Sequence, residues 1–272
     1  MAGERVPLSV REGGDGAIER WGALHPGVPD WMREPLWNWV DLMLKVNGTD
    51  LLGLGMALRI GLGGGGIEDL KKVCFSDAQV YLDAVDLLLS DVDDPRFALG
   101  VEHVLLSSGS EWAAVDRPGG ARWTLAKRLH PVVQGDVERA LIYDRPSGKI
   151  LRNVYAETYG RNPKPNVSYS ESIRAIECAA APIVTPNDEK ATLGKIERAL
   201  REAPTGKFEF ALPGDEHVSG PEAVRSLMKV VWTSHQSRHG EGDVTQAEAE
   251  AAFHAAVLLV HWCESGALRV AG

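Results

Sequence analysis

Three cysteines are all that 272 residues hold, and Cys74, Cys178 and Cys263 are odd in number and far apart. That spacing argues against a disulfide framework and against a cysteine-based zinc site. Long hydrophobic runs are also missing: no stretch approaches the ~18 apolar residues that a membrane-spanning helix needs. The opening segment MAGERVPLSVREGGDGAIER lacks the apolar centre of a secretion signal, so a cytoplasmic protein without membrane attachment is expected. Basic residues are outnumbered, with 29 Lys+Arg against 38 Asp+Glu and a formal net charge of −9. This balance disfavours a non-specific nucleic-acid coat, and no DNA partner is expected; a local RNA site remains compatible with it.

What is present is an ordinary globular composition, 44% hydrophobic and 25% charged, on a chain long enough for one large core or two modest ones. Residues 1–30 are rich in Gly, Pro and charge and read as a flexible arm. A helix opens after Pro29-Asp30, with Trp31, Leu36, Trp37, Val40, Met43 and Leu44 at helical spacing. The apolar stretch Leu51 to Leu62 also reads as a helix and runs into glycines 63–66. Two more helices are expected over about 76–89, with Ser76-Asp77 as the cap, and over 95–106. Alternating polar and apolar residues in 111–116 and 122–129, around Pro118-Gly119-Gly120, predict a β-hairpin over 111–129. A helix over about 132–143 follows, and 144–148 carry turn chemistry.

From about residue 151 the pattern is that of a helical bundle. Three S/T-x-x-E boxes, Ser168…Glu171, Ser219…Glu222 and Thr245…Glu248, each stand before an apolar stripe, and such a box satisfies orphan amides at a helix start. A shorter helix over 188–202, using Leu193, Ile196 and Leu200, lies between the first two. The fold class is therefore mainly α. A mostly helical domain with one hairpin spans 31–150, and a four-helix bundle spans 151–272.

Chemistry-bearing candidates are few. Residues 61–66, Gly-Leu-Gly-Gly-Gly-Gly, satisfy G-x-G-x-x-G. The segment before them reads as a helix, where a dinucleotide fingerprint needs a strand. Lys190-Ala-Thr-Leu-Gly-Lys195 lacks the glycine spacing of a phosphate loop and reads as a polar helix start. Cys178 and Cys263 fall on apolar stripes, as core thiols do. His235 and His239 are four apart, with Glu241 or Asp243 as a third metal ligand, whereas His235 on an apolar stripe fits a core histidine better. No cofactor and no resident metal are expected. His254 and His261 lie seven apart on the last helix.

Between the last two capped helices lies Gln236-Ser-Arg-His-Gly-Glu-Gly-Asp243. Arg238 offers a planar five-donor cation suited to phosphate oxygens, and His239 can exchange a proton near neutral pH. Together they form a minimal set for metal-free RNA cleavage by 2′-hydroxyl attack. On spacing alone, the plainer reading is a solvated helix-end loop with Gly240 as its C-cap.

The C-terminal part resembles the HEPN-type domain of AbiJ-like abortive-infection proteins. The resemblance is carried by Tyr169-Ser-Glu-Ser-Ile-Arg-Ala-Ile-Glu177, Lys190–Lys195, Arg238-His239-Gly240 and the closing helix 249–265. Residues 96–143, especially Gly109-Ser-Glu-Trp112, are similar to the small domain that often precedes it. The resemblance implies a helical bundle that forms a homodimer and a metal-independent ribonuclease of a phage-defence or toxin–antitoxin system. An antitoxin or sensor partner and a sensing or regulatory role for residues 1–150 go with it. By position it makes Arg238 the phosphate ligand, His239 the general acid or base, and Glu177 the group orienting one of them. The active pattern, however, sets the histidine four to six residues after the arginine, and here the two are adjacent. Either the site is rearranged, or the fold serves as a non-catalytic dimerisation and interaction module. The balance of 13 Lys+Arg against 16 Asp+Glu in residues 151–272 fits the second reading.

Overall fold

A computed structural model describes residues 12, 22–117, 123–129, 135, 137, 145–215, 217, 219–236 and 243–272. Among these residues the chain forms ten helices and two two-stranded sheets, in keeping with a mainly α fold. No described helix is long and apolar enough to cross a membrane. The chain divides into two compact units. One takes in the described residues up to Ala114 together with 123–128, and the other takes in 115–117 and the described residues from 129 onward.

The first unit contains α1 (Asp30–Asn47), α2 (Leu51–Leu58), α3 (Ile67–Ser76), α4 (Ala78–Ser90) and α5 (Pro95–Ser107). It also contains most of the hairpin β1 (Trp112–Asp116) and β2 (Trp123–Lys127). Asp50, Asp77 and Asp94 each accept amide hydrogen bonds at the start of α2, α4 and α5, which is why those helices begin where they do. Met32, Leu36, Val40 and Met43 of α1 pack with Tyr81, Leu82, Val85 and Leu89 of α4 in one core. Trp31, expected on the same stripe, is 60% exposed. It heads the helix at a position whose ring instead lies edge-on to His25. Two carboxylates tie the hairpin to the helices. Asp86 accepts from Thr124 Oγ1 at 2.8 Å and from the Leu125 amide at 2.7 Å. Glu102 takes the Ala114 amide at 2.8 Å and the Arg128 guanidinium at 2.7 Å.

The second unit holds α6 (Pro146–Tyr159), α7 (Pro165–Val184), α8 (Leu193–Glu202), α9 (Gly220–Gln236) and α10 (Gln246–Glu264). A small sheet joins β3 (Phe208–Phe210) to β4 (Leu268–Val270). The strands are antiparallel with Glu209 opposite Arg269, and that pair is bridged at 2.8 Å. The helical expectation for this part holds, with five helices in place of four. The boundary expected at 150/151 falls inside α6, which starts on Pro146. Proline at a first helical position lacks only an amide hydrogen that would be unpaired there anyway.

Two helix starts differ from expectation. Ser168 does not open α7, which begins three residues earlier on Pro165. The Ser168 hydroxyl is fully buried and shares a 2.6 Å hydrogen bond with Thr158 Oγ1 of α6, so a tertiary partner takes the side chain meant for the cap. The helix expected over 188–202 begins only at Leu193, because Asp188 folds its carboxylate onto the Lys190 amide at 3.0 Å in a turn. At α10 both halves of the Thr245…Glu248 box are formed. Apart from residues 135 and 137, the 132–143 segment lies outside the described residues, as does the Pro118-Gly119-Gly120 turn.

Candidate functional site

Residues 237–242, and with them Arg238 and His239, lie outside the described residues, as do Gly240 and Glu241. The elements on either side of them are described. Helix α9 runs to Gln236, and α10 begins at Gln246. The Asn166 side chain, in the first turn of α7, holds the far end of the loop by two hydrogen bonds. Its Nδ2 donates to Asp243 Oδ1 at 3.1 Å and its Oδ1 accepts the Val244 amide at 2.9 Å. Tyr169, one turn further along α7, donates to the Val231 carbonyl of α9 at 2.9 Å. The C-terminal part of α9, the start of α7 and the start of α10 are thus together at one end of the bundle.

A polar ladder begins at that same end. Gln246, Glu250 and His254 stand at i, i+4 and i+8 on α10, a spacing that puts them on one face. Gln246 Nε2 donates to the Thr158 carbonyl at 2.8 Å and to Glu250 Oε1 at 2.9 Å. The Tyr159 hydroxyl, on the last residue of α6, is 3.0 Å from His254 Nε2. Tyr159, Glu250 and His254 are all half-buried. Burial pulls the His254 imidazole below the ordinary histidine range, against the opposing charge of Glu250. Burial also pushes the Tyr159 phenol well above its usual value, with Glu250 and Tyr155 adding to the shift. Beneath them, fully buried Phe253 stacks on Tyr155 with centroids 5.9 Å apart, which fixes both rings. Tyr159 was not expected in a site, and the partnership of His254 requires the fold, since the two residues are 95 apart in the chain.

Glu177 occupies a different place. It lies eleven residues after Asn166 on α7, or ~16 Å along the helix axis at 1.5 Å per residue. Its Oε1 accepts the Leu193 amide at 2.7 Å, so it caps α8, whose own N-cap Thr192 makes no side-chain bond. Burial holds its carboxyl above the usual range, offset by the Leu193 amide and by Arg174. Around it opens a shallow cavity of about 290 Å³ whose lining includes Ile150, Arg174, Cys178 and Asp188. Burial raises the Cys178 thiol as well, so a thiolate nucleophile is not favoured there. Cys74 and Cys263 are buried thiols pushed up to about 12.

The two phosphate-loop lookalikes have structural explanations. Helix α2, not a strand, precedes the glycines of 61–66. Asp69 turns back to accept the Gly65 amide at 3.0 Å. A Cβ on Gly65 would lie 2.7 Å from Asp69 Oδ1. The Gly65 amide is therefore taken by the chain's own carboxylate, whose negative charge disfavours a phosphate there. Gly194 is required for packing, since a Cβ there would be 2.8 Å from the Trp232 ring. Trp232 is accordingly half-buried against α8. Among the described residues no group of three or more His, Cys, Asp or Glu side chains is arranged to hold a metal ion.

No protein-family model matches the chain, and no curated protein or solved structure matches it either.

Proposed function

We propose that the protein is an abortive-infection, phage-defence type endoribonuclease of the HEPN kind, acting as a cytoplasmic homodimer. It cuts RNA without a metal by attack of a 2′-hydroxyl on the adjacent phosphorus. Arg238 holds the phosphate and His239 exchanges a proton. The observation that supports this most is the double hydrogen bond from Asn166 to Asp243 and Val244. It ties the end of the Arg-His loop to a packed helix, and catalytic side chains need that kind of support. Glu177, which the resemblance makes the group orienting Arg238 or His239, accepts the Leu193 amide through Oε1.

The test is cleavage of total RNA by the purified protein in excess chelator. Products ending in a 2′,3′-cyclic phosphate, formed by the wild type and not by Arg238→Ala or His239→Ala, are expected. A dimer that leaves every RNA intact over hours overturns the reading. The second reading, a non-catalytic helical interaction module, draws on the acidic balance and on the adjacency of Arg238 and His239. It predicts that neither alanine variant changes the biological effect.

A further inference from the structure

We propose that the outward face of α10 is where two copies of this chain meet, paired antiparallel about a two-fold axis; the inference rests on the homodimer of the proposed function and not on its chemistry. No Asp, Glu, Lys or Arg stands between Glu250 and Glu264, so this stretch of α10 carries no formal charge on any side. Its inner side is core, with Phe253, Ala256, Leu259 and Val260 fully buried. The outer side is left uncovered. Ala251 and Ser265 are exposed, Leu258 is 41% exposed, and Ala255 and Trp262 are half-buried. The other helices of the bundle carry charge outward, as with exposed Lys149 on α6, Arg174 on α7, Lys195 on α8 and Lys229 on α9. A helix that is apolar all round is ordinarily buried all round, and within a single chain α10 is not.

The order of the side chains indicates the occupant. Ala251, Ala255, Leu258, Trp262 and Ser265 follow one another at four, three, four and three residues, the seam by which one helix packs along another. Its first half is small and its second half large. Parallel pairing of two copies would set alanine on alanine at one end and tryptophan on tryptophan at the other. Antiparallel pairing about an axis between Ala256 and Val257 sets Ala255 against the partner's Leu258 and Ala251 against the partner's Trp262. A large group then fills the hollow over a small one in each layer, as close packing requires. Glu250 and His261 lie eleven residues apart on one flank of the seam, so the same axis brings Glu250 towards the partner's His261, an N–H donor suited to a carboxylate. Phe210 of β3 holds the Trp262 ring edge-on, with centroids 4.8 Å apart, which fixes the largest group of the seam before pairing. A patch that is complementary to itself closes as a dimer and does not grow into a filament.

The experiment is sedimentation of the full chain across a dilution series, for the wild type, Leu258→Glu, Ala251→Glu and Leu52→Glu, with thermal melting of each at a concentration where all are monomers. Leu52 on α2 is 69% exposed and serves as an equally apolar surface position away from the seam. The wild type and Leu52→Glu should sediment as dimers. Leu258→Glu and Ala251→Glu, which place two carboxylates in the seam of each dimer, should each raise the dissociation constant by on the order of 100-fold with melting unchanged. Should Leu258→Glu melt early, Ala251→Glu, at an exposed position, carries the test. If both α10 variants remain dimers as tight as the wild type, or if Leu52→Glu weakens the dimer as much as they do, this surface is overturned and the homodimer stands. If the wild type is a monomer at every concentration, both fall.

Discussion

The two ends of the C-terminal bundle use their polar groups differently. At the end holding Glu177 and Glu264, each carboxylate serves the start of another helix. Glu177 accepts the first amide of α8. Glu264 accepts from the Ser147 hydroxyl in the first turn of α6 at 2.7 Å and pairs with Arg145 at 2.6 Å. At the other end Tyr159, Gln246, Glu250 and His254 form a half-buried ladder, and the exposed Asn166 side chain bonds to Asp243 and Val244. A carboxylate that closes a helix start has its lone pairs committed to the fold, whereas a tyrosine–histidine contact can change its proton without breaking a helix. Glu177 comes forward by its position in the stretch that carries the resemblance, and its bond to the Leu193 amide gives it a structural task that position alone does not reveal.

That comparison can be broken in several ways. Phe253→Ala removes the fully buried ring under Tyr159 and His254 and should cost about 3–5 kcal/mol in urea unfolding. A much smaller loss would mean that the ladder stands on something other than this core. Gly194→Ala forces the Trp232 ring off α8 and should cost about 1–3 kcal/mol, with a change in tryptophan fluorescence as a second readout. Glu177→Ala leaves the α8 amide without its acceptor and should cost about 1 kcal/mol. Glu177→Gln, which keeps an acceptor oxygen, should cost less and leave any RNA cleavage intact; loss of cleavage in that variant would show that the carboxylate acts in catalysis as well.

The smallest effect is in pH dependence. The folded-state pKa of His254 lies below the ordinary value of 6.5. Its contribution to stability is therefore complete above about pH 6.5 and is lost as pH falls through the lower, folded value. Urea midpoints of the wild type should drop more between about pH 7 and pH 5 than those of His254→Gln. Equal slopes would show that the imidazole is not held neutral by its surroundings.

Much of the architecture was legible because helix stripes and caps are local. The Thr245…Glu248 box, the Asp77 cap and the α10 stripe from Ala249 to Cys263 are as the spacing predicts. The failures come from tertiary competition. Ser168 looks like a cap but bonds to Thr158 across two helices. Helix α3 was hidden behind four glycines whose role depends on Asp69 folding back. Helix α6 was hidden because turn residues at 144–148 also suit a proline-led helix start. Strands β3 and β4 are three residues each and pair across about sixty positions, which is too short and too distant for an alternation signal. Of the candidate site, Arg238 and His239 could be picked out as residue types and His254 as a histidine on α10. Its contact with Tyr159 required the fold.

The most direct test of the central claim follows total RNA and growth in cells induced to express the wild type or Arg238→Ala. The account predicts growth arrest with fragmented RNA for the wild type and neither effect for the variant. Growth arrest of equal strength from both, with RNA intact, would contradict it.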